Sequence, residues 1–216
     1  YSCINCQRTF PYIKSWWEKY KDKGLVIIGI HTPEFAFEKE YENVRRAIER
    51  FGITYPVVLD NDYGTWNAYG NRYWPRKYLI DIDGFVVYDH IGEGGYEETE
   101  KKIQEALEER MRVLGIQDQI DKNTAKPADA PDIDFAQVES PETYFGAARN
   151  VYLGNGKPQS RGRQTLQEPA EIKKNTLYLA GNWQFEDEFA ENVSGSAKII
   201  FRYRAKDVYL VMSSKF

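Results

Sequence analysis

A chain of 216 residues with 42% hydrophobic and 29% charged side chains can bury one large core or two modest ones. Its net charge of -4 gives no electrostatic reason to expect nucleic acid as a partner. The longest strongly apolar run, GLVIIGI, is far short of the roughly 20 residues that span a bilayer, and no signal peptide is visible. With only Cys3 and Cys6, a disulfide scaffold is excluded; a redox pair, half of a metal site or two inert thiols remain.

From Cys6 to about Lys23 the apolar residues Phe10, Ile13, Trp17 and Tyr20 recur at spacings of three and four, a helical face that Gly24 stops. The run LVIIGI, rich in β-branched residues, reads as a strand buried on both sides in a parallel sheet. A second amphipathic helix is predicted from Phe37 to Phe51, with Tyr41, Val44, Ile48 and Phe51 on one side and Gly52 at its end. YPVVLD is a short strand and YGTWNAYG a short helix. KYLIDIDGFVVYDHIG reads as a hairpin turning at Asp83-Gly84. YEETEKKIQEALEERMRVLG is a long charged helix closed by Gly115. The order α-β-α-β-α-β-β-α is that of a layered α/β domain, over residues 1–115.

Periodicity fades over residues 116–141, where Pro127, Pro131 and Pro141 fall among Asp and Ala; this is an expected linker, free to pack on a domain surface. Beyond it, NTLYLAGNWQF, AKIIFRYRA and DVYLVMSS are strand-like and no long helix is predicted. Residues 142–216 therefore read as a β-rich module of sandwich or jelly-roll type.

The motif CINC carries the chemistry. If Cys6 lies in the first turn of its helix, Cys3 sits at the helix N-terminus, where unpaired backbone N–H groups and the helix dipole stabilise a thiolate. Such a thiolate can attack a disulfide, and Cys6, one turn along, can resolve the mixed disulfide. A zinc site needs two more ligands, and His31 and His90 stand at spacings matching no common finger, so no metal is expected. A structural disulfide across so short a loop would constrain the unfolded chain little.

CxxC with Pro11 five residues beyond it, then FGITYPVVLD and YWPRKYLIDIDG, resembles the thioredoxin superfamily in its TlpA-like and redoxin-like branch. That resemblance implies Cys3 as attacking thiol and Cys6 as resolving thiol. It also implies a helix kink at Pro11, and a cis Pro75 that with Trp74 forms part of the substrate groove. No cofactor beyond the redox-active disulfide is implied. More narrowly, YSCINC, HTPEFAFEKE, LDNDYGTWNAYGNRYWP and SPETYFG resemble the C-terminal part of DipZ-type proteins. Those join a CcdA-like membrane electron-transfer domain to a thioredoxin-like domain and a module like carbohydrate-binding jelly rolls. The implied setting is extracytoplasmic, tethered to a membrane in the full-length protein, with electrons supplied by the CcdA-like donor and protein disulfides or dithiols as substrates. The dipeptide Ile4-Asn5 differs from the Gly-Pro of cytosolic thioredoxins. Thr9 stands where some TlpA-like reductases carry a glutamate, so the general base is unassigned. Glu34 is a candidate by adjacency to a strand end, although a solvated loop glutamate is the simpler reading; His31 is best read as a packing or capping residue.

A thioredoxin fold also needs a strand directly before the CxxC helix, so residues 1–115 are expected to lack their N-terminal strand, and the β-rich module is expected to be partial. The expected activity is thiol–disulfide exchange, in the reducing direction. The alternative is a glycan- or protein-binding module on a thioredoxin-like scaffold, in which Tyr178 and Trp183 would be exposed for stacking on sugars.

Overall fold

The computed structural model describes residues 1–131 and 139–213. It divides into two compact units, residues 1–132 and 133–216.

The first unit begins with α1, Ile4–Tyr20. Tyr20 and Trp16, rather than the expected Trp17, are its deeply buried aromatics. They pack with Ile103, Leu107 and Met111 of α4, Tyr96–Leu114. Phe10 turns elsewhere, its ring 5.1 Å from that of Phe51. The inward stripe of α1 therefore keeps Ile13 and Tyr20 of the apolar pattern but takes Thr9 and Trp16 in place of Phe10 and Trp17. Trp16 is chosen because its indole N–H has a buried acceptor. The carboxylate of Glu100, 1% exposed, accepts from Trp16 Nε1 (3.1 Å), Tyr20 Oη (2.8 Å), Lys19 Nζ (3.2 Å) and the Ala125 amide (2.5 Å). The last of these comes from the expected linker, whose Ile120 also enters the core. Residues 116–131 thus belong to the packed body of this unit, while 132–138 lie outside the described residues.

Between these helices stand β1 (Gly29–His31), α2 (Tyr41–Phe51), β2 (Val57–Leu59), α3 (Gly64–Ala68), β3 (Arg76–Ile80) and β4 (Val86–Ile91). The expected helix from Phe37 is interrupted: Ala36–Lys39 is a 3₁₀ turn, and Glu40, in extended conformation, separates it from α2. Gly52 closes α2 at φ +60°, a left-handed position that glycine takes without steric cost. In the β3–β4 turn, Asp81 Oδ1 accepts the amides of Asp83 (3.0 Å) and Phe85 (2.8 Å), with Gly84 at φ +90°.

The strands form two separate pairs, β1 with β2 in parallel and β3 with β4 antiparallel. Among the described residues, neither β1 nor β3 has a strand at its second edge. LVIIGI is accordingly not buried on both sides: only Gly29–His31 is strand, and Val26 and Ile28 are 71% and 56% exposed. A strand is enclosed only when neighbours cover both edges and layers cover both faces, and here one edge is open. A cavity of about 780 Å³ is lined by Ile28, Ile30, Lys77 and Leu79, with Cys6 also on its wall.

The second unit is built on β6, Leu177–Phe185, which pairs antiparallel with β5 (Gly162–Leu166), β7 (Ala190–Asn192) and β8 (Lys198–Phe201). Its core joins Ala147, Leu153, Leu166, Leu177, Leu179, Trp183 and Phe185. The described strands make one four-stranded sheet, not the two stacked sheets of a jelly roll. Residues 207–213 carry no strand despite their apolar pattern; no partner strand lies beside them among the described residues. Residues 214–216 lie outside that set. The second-unit candidates Tyr178 and Trp183 are 5% and 6% exposed. This corrects the expectation of stacking platforms: Trp183 donates to the Ala180 carbonyl (3.0 Å) and Tyr178 Oη accepts the Lys173 amide (3.3 Å), so both are interior.

Removing a buried acceptor shared by four donors strands them all. Glu100→Ala is expected to lower the stability of the first unit by about 3–5 kcal/mol, read as a lower urea midpoint followed by tryptophan fluorescence. A loss below about 1 kcal/mol would show that Glu100 is not the anchor of the α1–α4 contact.

Candidate active site

Cys3 is the N-cap of α1, its backbone extended (φ -61°, ψ 117°), and Cys6 completes the first turn. The helix supplies unpaired N–H groups at its start, and one of them, that of Cys6, donates to Cys3 Sγ (3.4 Å). Both cysteines are free thiols, half-buried. On its other side the Cys3 thiol meets the carbonyl of Trp74 (3.9 Å), which precedes Pro75. The Trp74–Pro75 peptide bond is cis. Cys3, Cys6, Trp74 and Pro75 all line the cavity, with Cys3 in contact with both Cys6 and Trp74. Pro11 sits inside α1 and is buried, where it cannot donate to the carbonyl of Gln7.

The two sulfurs have opposite acidities. The hydrogen bond from the Cys6 thiol is the largest influence on Cys3 and lowers its pKa; burial opposes it, the amides of Cys6 and Asn5 reinforce it, and the net shift is downward. Cys6 moves well above the ordinary thiol value, because its S–H donates a hydrogen bond to Cys3, it is buried, and it feels the negative charge of Cys3. Tyr55, beside Cys6, is pushed up to about 12 by burial and then by the Cys6 charge. This division suits a nucleophile and a resolving partner.

The surrounding loops are pinned by two buried carboxylates that the sequence reading passed over. Glu38 accepts from Ser2 N (3.1 Å), Ser2 Oγ (2.8 Å), Glu34 N (2.7 Å) and Phe35 N (3.3 Å), tying the residue before Cys3 to the loop after β1. Asp60 accepts from Thr32 Oγ1 (3.0 Å), Thr65 N (2.8 Å) and Trp66 N (2.9 Å), which starts α3 and sets Trp66 against Trp74, ring centroids 4.2 Å apart. Trp74 Nε1 in turn donates to the Thr32 carbonyl (3.1 Å). An acid three residues after Phe35 and another at a strand end were the available signals, although each reads equally well as a solvated loop residue.

Glu34 is half-buried, and its negative charge acts on Cys3, opposing ionisation. His31 contacts the Glu38 carbonyl through Nε2 (3.0 Å), and burial lowers its pKa. Thr9 is fully buried, with its hydroxyl on the Asn5 carbonyl (2.9 Å) and near Tyr96 Oη (3.3 Å). Lys77 was also passed over; alternation along β3 places it on the inward face with Leu79.

Helices around strands that end in a hairpin after a cis-proline, with Cys-x-x-Cys opening the first helix, define the thioredoxin-like class. Residues 2–107 match the Redoxin family, and residues 140–216 match the family described as thioredoxin like C-terminal domain. Protein DipZ of Mycobacterium bovis and that of Mycobacterium tuberculosis are each 40% identical over 212 residues, which is 98% of this chain and 30% of theirs. Thiol-disulfide oxidoreductase ResA of Halalkalibacterium halodurans is 32% identical over 106 residues, 49% of this chain and 55% of its own. The chain spans less than a third of the length of the DipZ proteins. A solution structure of a thioredoxin-like protein in the oxidised form is 26% identical over 50% of this chain and 73% of that one, with a TM-score of 0.47. The chain belongs to the thioredoxin superfamily, in its redoxin-like branch of DipZ type.

Because the Cys6 thiol is the main cause of the lowered Cys3 pKa, Cys6→Ala is expected to move the midpoint of Cys3 alkylation by iodoacetamide upward. In the unsubstituted protein that midpoint should lie below that of a free thiol, and Cys6 should react last. Mass spectrometry of the alkylated peptides reads both; an unmoved midpoint would assign the shift to the helix N-terminus alone.

Proposed function

We propose that this chain is a thiol–disulfide oxidoreductase acting outside the cytoplasm, and that it reduces protein disulfides. The observation that carries the reading is the placing of Cys3 as N-cap of α1, with the Cys6 amide on its sulfur (3.4 Å) and the Trp74 carbonyl beside it (3.9 Å); the opposed acidities of the two thiols agree with it. Cys3, as thiolate, attacks a substrate disulfide and forms a mixed disulfide; Cys6 then attacks Cys3 Sγ, releasing the substrate thiol and leaving Cys3–Cys6 oxidised. The backbone of Trp74-Pro75 forms one wall where an extended substrate segment lies. The redox group is the cysteine pair itself.

Similarity to DipZ supports the extracytoplasmic setting, the membrane tether of the full-length protein and a CcdA-like membrane donor that re-reduces the pair. Among the described residues no helix is long and apolar enough to cross a membrane. Among the described residues β1 and β3 each keep one unpaired edge, the kind of edge at which an extended substrate segment can pair. The rival reading, a glycan-binding module, loses its two candidate platforms, Tyr178 and Trp183, to the core.

Reduction of insulin by dithiothreitol should be accelerated by the chain and abolished by Cys3→Ser. Cys6→Ser should accumulate mixed disulfides detectable by mass spectrometry. Unchanged turnover in Cys3→Ser would sink the proposal, and a Cys3–Cys6 potential near the oxidising extreme of about -120 mV, not the thioredoxin value of about -270 mV, would reverse its direction.

A further inference from the structure

The resolving step has a difficulty: Cys6 must lose its proton, and its surroundings hold that proton firmly. A base near Cys6 is required. Tyr55 is neutral throughout the working range, and the Glu38 carboxylate is already engaged by Ser2, Glu34 and Phe35.

Lys77 is differently placed. It lies on β3, half-buried, on the same cavity wall system as Cys6. Its Nζ donates to the Gly92 carbonyl (3.0 Å) and stands 5.5 Å from the centroid of the Tyr96 ring. The titratable groups around it are Cys6 of α1, His90 across the β3–β4 ladder, Glu93 in the turn after β4, and Tyr96 of α4, with Arg8 of α1 bonded to Glu93. Glu93 already pairs with Arg8 (3.1 Å) through Oε1, and its buried Oε2 has no hydrogen-bond partner among the described residues. No carboxylate therefore bonds the Lys77 ammonium directly in any described ion pair. Burial lowers the Lys77 pKa to about 8, against the charges of Cys6 and Glu93, so a neutral amine is accessible near neutral pH.

We propose that Lys77 accepts the Cys6 proton in the resolving step. This rests on the Cys3/Cys6 exchange reading above. The neutral amine takes the proton from Cys6 Sγ; the Cys6 thiolate attacks Cys3 Sγ of the mixed disulfide; the Cys3–Cys6 bond forms as the bond from Cys3 to the substrate sulfur breaks. The departing substrate thiolate takes the proton back from the Lys77 ammonium. Two electrons pass from the cysteine pair to the substrate disulfide, and Lys77 ends as it began. General-base assistance of this kind accelerates a step by about a hundredfold or more.

The test reacts the reduced full chain with oxidised glutathione, quenches with acid and follows by mass spectrometry how the glutathione adduct at Cys3 forms and clears between pH 6 and 10. In the unsubstituted protein, clearance should rise with pH through a midpoint near 8. Lys77→Met should slow clearance at pH 7 about a hundredfold and remove that midpoint, while adduct formation changes little. Lys77→Arg keeps the positive charge but cannot give up a proton in this range, so it should be as slow as Lys77→Met. Recovery in Lys77→Arg to within threefold would overturn the proposal and leave Lys77 an electrostatic role. If circular dichroism shows that either variant does not fold, the ¹⁵Nζ resonance of Lys77 in the unsubstituted protein decides: titration near pH 8 supports the proposal and titration above pH 10 overturns it. Failure of the underlying exchange reading looks different, because then no adduct forms at Cys3 in the unsubstituted protein.

Discussion

Everything at the site depends on one helical turn. Cys3 caps α1 and Cys6 closes its first turn, so a single sulfur receives both a backbone N–H and a thiol hydrogen bond. A charge on Cys3 is stabilised by that geometry and by the helix dipole, an effect typically of about 0.3–1 kcal/mol where exposed and more where solvent is excluded. The same bond penalises ionisation of Cys6. One local arrangement thus makes two identical side chains unequal, and inequality is what directed exchange requires. Were the helix to start a residue later, Cys3 would lose its donor and the two thiols would become alike.

The turn would be of little use without fixed surroundings. Glu38 binds the segment that enters α1, and Asp60 binds the segment that carries Trp66 against Trp74. At the far end of α1, Glu100 joins the helix to α4 and to the residues that follow it. Three buried carboxylates, each satisfied by several donors, therefore orient the first unit around its cysteines. Such groups contribute less net stability than their bond count suggests, because desolvation offsets much of the gain. Their value is that a single arrangement satisfies all the donors at once. The open edges of β1 and β3 stand in contrast, since sheet edges without partners are where a fold accepts another strand.

Much of the first unit was legible because its signals are local. Gly52 and Gly115 end helices, Asp81 to Gly84 turn a hairpin, and the alternation of helix and strand patterns follows the chain order seen in the structure. The errors fall where burial depends on distant partners. Trp16 displaced Trp17 because Glu100, far along the chain, offers an acceptor at one position only. LVIIGI has the composition of an enclosed strand but, among the described residues, only one neighbouring strand, so Val26 and Ile28 stay exposed along the open cavity. Tyr178 and Trp183 belong to β6, a strand flanked on both edges, and such strands supply core whatever their side chains could do on a surface.

By itself, then, the sequence determined the element order, the helix start at Cys3 and the placing of Cys3 and Cys6 on one helical turn, since each rests on residues within a turn or two of one another. The tertiary structure alone decided what those sulfurs face. The Trp74 carbonyl lies 71 residues from Cys3 along the chain. Lys77 is an ordinary strand lysine until folding buries it on the face that Cys6 shares. Acidity depends on solvation and on charges nearby in space, and neither is a property of a residue's place in the chain.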